Sequence, residues 1–158
     1  MDPYLIARWL HIVSSTVLFG TGIGTAFQMV CAMRTGRAET IRSVSSAVVL
    51  ADAVFTTPAG IIQPLTGLWL IHLAGHSPTA PWLLVCYVLY VLAFACWLPV
   101  VGLQIRIRNL AAAAVEAGTP LPAEVLRLYR MWFALGWPAF GALIGIFWLM
   151  VSKPDLGF

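Results

Sequence analysis

Four apolar runs, roughly Tyr4–Met33, Val44–Ala74, Trp82–Gln104 and Met131–Val151, are each as long as the ~20 residues an α-helix needs to cross the hydrocarbon of a bilayer. In lipid every backbone N–H and C=O must find its partner within the protein, which restricts spanning segments to helices and closed barrels. Runs this long and continuous are helices rather than the short alternating strands of a barrel. Composition agrees, with 61% of the 158 residues hydrophobic, 9% charged and a mean hydropathy of +0.91, well away from soluble domains. The expectation is an all-α integral membrane four-helix bundle, one transmembrane domain over residues 1–158, with helices near 4–33, 44–74, 82–117 and 122–151. The first run lacks a basic leader and a small-residue cleavage site, so it is expected to be a retained helix.

Orientation follows from the basic residues. Arg34, Arg37 and Arg42 lie after the first run, Arg106, Arg108, Arg127 and Arg130 between the third and fourth, and only Arg8 and Lys153 elsewhere. Seven against two places the first and third loops in the cytoplasm by the positive-inside rule, with both termini on the outer, periplasmic side of a bacterial inner membrane. The net charge of +3 calls for no nucleic acid, because anionic lipid head groups attract arginines that flank spans. Cys31, Cys86 and Cys96 form no paired motif and read as small apolar residues.

Within the spans, His11 is the first candidate for function, since an ionisable side chain in hydrocarbon is costly and seldom idle. Tyr4 and Arg8 fall on its face of the first helix, and Arg8 either snorkels outward or meets an anionic group. Gly20 and Gly24 leave a stripe where another helix or a flat cofactor can approach. The second run holds Asp52, Pro58, Gln63 and Pro64. The prolines should kink it, Asp52 should pair with a loop arginine or bond within the bundle, and Gln63 should tie helices together by a hydrogen bond. Its outer end carries Trp69 as an interfacial anchor, then His72, the helix stop Gly75, and His76. All three histidines thereby fall in the outer half of the bundle.

The strings Leu10-His11-Ile12-Val13, Phe19-Gly20, Thr57-Pro58-Ala59 and Gly67-Leu68-Trp69-Leu70, with Trp148-Leu149-Met150 and Lys153-Pro154 at the end, resemble an uncharacterised bacterial four-helix inner-membrane family (a domain of unknown function) and its relatives, the HemJ-type protoporphyrinogen oxidases. The resemblance implies a haem b site with His11 as iron ligand. Cys86 and Trp97 stand where those enzymes carry lysine and histidine. Protoporphyrinogen oxidation, which needs a proton acceptor there, is therefore not the expected activity.

The leading expectation is thus a haem b-binding membrane protein in electron transfer, oxidoreduction or haem sensing. His11 and His72 would be the axial ligands, with Arg8, Gly20, Gly24 and Trp69 around the ring. The alternatives are a copper- or zinc-handling protein using His11, His72 and His76, and a cofactor-free assembly subunit. Small-residue faces also allow a homodimer within the lipid bilayer.

Overall fold

In the computed structural model, which describes residues 2–156, four long helices carry nearly the whole chain: α1 (Pro3–Thr35), α2 (Ala38–Leu73), α3 (Pro81–Ala117) and α4 (Ala123–Ser152). Each is long and apolar enough to cross a membrane, and the described residues contain no strand. Two ends can be distinguished. The terminal end holds the start of α1, the end of α4 and the 74–80 loop, and the arginine-rich end holds the turns at Gly36 and Gly118.

The starts and stops follow local chemistry. Asp2 caps α1, its carboxylate accepting from the Tyr4 N–H at 2.9 Å, and Pro3 opens the helix where its missing N–H costs nothing. Gly36 and Gly118 close α1 and α3 with φ of 64° and 63°, a left-handed conformation that a side chain would resist. α2 begins at Ala38, six residues before the apolar run, because Ala38–Ser43 is an amphipathic turn with Glu39 near its start and only Ile41 buried. An apolar-run criterion does not register such a segment.

The prolines do not break the helices. α2 runs continuously past Pro58 and Pro64, but the five residues Asp52–Thr56 form a π turn, with the Thr57 N–H bonding five residues back to the Asp52 carbonyl. A π turn just before Pro58 gives a backbone lacking that donor room to continue. Pro64 likewise leaves the carbonyl four residues back, that of Gly60, without a helical partner. The Tyr90 hydroxyl of α3 donates to that oxygen.

The best-packed core lies at the arginine-rich end, where Met29 and Ala32 of α1, Ile41 of α2, Ile107 and Ala111 of α3 and Val125, Leu128 and Trp132 of α4 form one buried cluster. There Arg106 of α3 pairs with Glu124 of α4. α2 packs against α1 and α3 in this half, whereas beyond the π turn its main partner is α1.

Candidate functional site

The part of α2 beyond the π turn places Gln63, Thr66 and Gly67 on one face against α1, and His11 of α1 lies among them. Gly67 makes this possible: a Cβ there would come within 3.3 Å of His11 Cε1, so the imidazole rests against a stretch of backbone that only glycine leaves open.

Hydrogen bonds fix the ring. The Thr66 hydroxyl gives its one proton to the backbone of its own helix, with the Ile62 carbonyl at 2.9 Å and that of Gln63 at 3.1 Å. His11 Nδ1 lies 2.9 Å from this hydroxyl, so a hydrogen on Nδ1 finds an acceptor there. Nε2 is then an acceptor and receives the Gln63 side-chain N–H at 3.1 Å. The Ser14 hydroxyl bonds the Gln63 side-chain amide and also reaches the His11 carbonyl at 3.1 Å. Ser14, His11, Gln63 and Thr66 thus form a closed network around the imidazole, and Ser14 and Thr66 are buried.

Beside Gln63 lies a cavity of about 20 Å³, lined by Ser15, Leu18, Phe19, Tyr90, Leu143, Ile146 and Phe147. Phe19 closes it against Phe140 and Phe147 of α4, at ring separations of 4.7 and 5.2 Å. The space suits one water; small-molecule pockets are ~300 Å³ or more.

The other residues singled out in the sequence lie elsewhere. Gly20 and Gly24 are exposed, and a Cβ on either would meet nothing within 4 Å, so they stand in no helix crossing; Gly60, Gly67 and Gly145 occupy the close approaches instead. Arg8 is exposed at the terminal end and Trp69 is 40% exposed on the outside of α2.

His72 is six residues beyond Thr66, about 9 Å along the axis and some 240° around it, so it points away from the face that holds His11. It is exposed and, with Leu68, Ile71, Gly75, His76 and Pro78, lines an open recess of about 320 Å³ at the terminal end. The α2 helix stops at Leu73 and Gly75 takes a φ of 67°, so His76 lies beyond the helix. Its N–H bonds back to the Ile71 carbonyl, and its ring stands edge-on to Trp82, with Lys153 Nζ 3.5 Å from Nε2. The three histidines therefore do not converge, and among the described residues no three His, Cys, Asp or Glu side chains gather as a metal site. Of the two partners expected for Asp52, a loop arginine or a group within the bundle, it takes the second, accepting the Thr56 hydroxyl at 2.8 Å.

Thr66 and Gly67 were not anticipated, although Gln63, Thr66 and Gly67 fall at the one-face spacing of i, i+3 and i+4. Tyr90 was signalled only through Pro64, which leaves a carbonyl in need of a donor. Cys86 is buried and Trp97 half-buried on α3, and Trp97 Nε1 has no hydrogen-bond partner.

Comparison with curated proteins and with solved structures finds no match. Residues 5–154 match the family described as "Predicted integral membrane protein (DUF2269)", and on that coverage of nearly the whole chain the protein belongs to this family of multi-pass membrane proteins.

Proposed function

We propose that the protein binds haem b, with His11 Nε2 as the iron ligand, and serves electron transfer, oxidoreduction or haem sensing in a bacterial inner membrane with both termini outside. One observation carries the reading: His11 Nδ1 lies 2.9 Å from the Thr66 hydroxyl, an acceptor that can hold the hydrogen on Nδ1 and leave the Nε2 lone pair on an oriented imidazole. Histidine ligands to metals are commonly held in this way, through a second partner on the other ring nitrogen. The donor chemistry fits; the space is closed. Binding requires the Gln63 amide to turn off Nε2 and α1 to move from α4 at Phe19, in the half of the bundle away from the main core. Haem would supply a one-electron centre whose potential follows its axial ligation and burial. His11 would hold it, Thr66 would orient His11, and Gln63 with Ser14 would close the site when empty. His72 faces elsewhere, so the reading is of a single histidine ligand.

A second reading has an observation of its own. Both ring nitrogens of His11 are satisfied within the protein, which suits a cofactor-free assembly subunit in which the network ties α1 to α2. An optical spectrum of the purified protein, produced with ample haem, separates the two. The haem reading expects a Soret band that His11→Ala abolishes and His72→Ala leaves in place. A full band in His11→Ala, or none in the wild-type protein, overturns it.

A further inference from the structure

The π turn of α2 sets an acidic group inside the bundle with no positive charge to answer it. Asp52 is 5% exposed. Its Oδ1 accepts the Thr56 hydroxyl at 2.8 Å, and the side-chain N–H of Gln104, from α3, donates to the same carboxyl. In the arginine-rich half, Arg34 and Cys31 are exposed on α1, Glu39 and Arg42 are exposed near the start of α2, Arg106 is paired with Glu124, and Arg108 bonds the Asn109 side chain. None of them forms an ion pair with Asp52. An ionised carboxylate here would be a buried, unpaired charge in a low-dielectric bundle, which proteins avoid by neutralising the group.

A second observation comes from the other side of the contact. Gln104 is 3% exposed, and its Oε1 is buried with no hydrogen-bond donor. One proton removes the unanswered charge, and the neutral carboxyl still accepts from the Thr56 hydroxyl and the Gln104 amide. A sodium ion would also bring positive charge, but would need several more oxygen ligands than Asp52, Thr56 and Gln104 provide.

We infer that Asp52 is a proton-binding site of this protein, its carboxyl protonated in the folded bundle and accepting from Thr56 and from the Gln104 amide. The step is a simple uptake: the proton adds to one carboxylate oxygen, no bond breaks, and its release restores the anion. The site lies on the same helix as Gln63 and Thr66, eleven and fourteen residues away, and stands whether or not His11 ligates iron. Buried protonatable carboxyls of this kind serve membrane proteins as stations for proton exchange.

Infrared spectroscopy of the purified protein in detergent at neutral pH tests the inference. The expected result is a carboxylic-acid C=O band that shifts to lower frequency in D₂O, disappears in Asp52→Asn, and moves to higher frequency in Gln104→Leu as its hydrogen bond is lost. The D₂O shift is read on the wild-type protein, so the test survives if a variant fails to fold. A neutral-pH spectrum with only ionised carboxylate bands, or an acid band retained at full strength in a folded Asp52→Asn, overturns the inference. A carboxylate band at Asp52 that responds to sodium but not to pH overturns it equally.

Discussion

Thr66→Val isolates the hydrogen bond that fixes the histidine. Valine keeps the branched shape and removes the oxygen, so His11 Nδ1–H loses the acceptor it has at 2.9 Å. In water-soluble proteins an orphaned buried donor costs ~1–3 kcal/mol. Between membrane helices the measured worth is smaller, averaging ~0.6 and reaching ~1.7 kcal/mol, because the separated helices also find partners. The Ile62 carbonyl, which the hydroxyl also serves at 2.9 Å, has a backbone partner in its helix and should add little. The net expectation is a loss of ~1 kcal/mol, about fivefold in the unfolding equilibrium. A double-mutant cycle of Thr66→Val with His11→Ala, read by reversible unfolding in mixed micelles, should return a coupling in the ~0.6–1.7 kcal/mol range. Nitrogen NMR of His11 should show the proton fixed on Nδ1 in the wild type and a mixture of tautomers in Thr66→Val. A coupling near zero together with an unchanged tautomer would refute the assignment of Thr66 as the residue that orients His11.

Three further outcomes follow from the packing. Tyr90→Phe should cost ~1 kcal/mol by removing the donor to the Gly60 carbonyl, and the cost should shrink in a Pro64→Ala background, where residue 64 regains its N–H; equal costs in both backgrounds would separate the two effects. Gly67→Ala should destabilise the bundle by ~1–3 kcal/mol and perturb the His11 resonances, since the new methyl meets Cε1 at 3.3 Å, whereas Gly20→Ala should be neutral or stabilising by up to ~1 kcal/mol in the same unfolding assay. Reporter fusions at Gly36 and Gly118 should be active only with a cytoplasmic reporter, as the arginine distribution requires; activity of an export-dependent reporter there would reverse the topology.

The spans were readable because a bilayer demands long apolar runs, and several of their ends because Asp2, Pro3, Gly75 and Gly118 state starts and stops locally, whereas the Gly36 cap of α1 was not read. The start of α2 was not, since Ala38–Ser43 is held by one amphipathic face rather than by apolarity. At the candidate site His11 stood out as an ionisable residue in a span, and Gln63 as a polar tie between helices, which it is. What could not be read was the register of α2 against α1. That register is what places Thr66 and Gly67 beside His11, turns His72 away, and leaves Gly20 and Gly24 outside every crossing. Nor does sequence show that a proline in one helix recruits a tyrosine from another.

The π turn at Asp52–Thr56 also acts as a phase adjuster. It absorbs one residue more than an α-helix would over the same path, so the two halves of α2 keep faces they would have if the helix were a residue shorter. Were those five residues to relax into α geometry without losing one, everything beyond would rotate by about 100° and advance by about 1.5 Å relative to the arginine-rich half. Gln63 and Thr66 would swing off His11 together, while the cluster around Met29 and Ile41 stayed in place. A local change of helical pitch is thus mechanically equivalent to turning a key in the α1–α2 seam, and the residue seated at the pivot is Asp52.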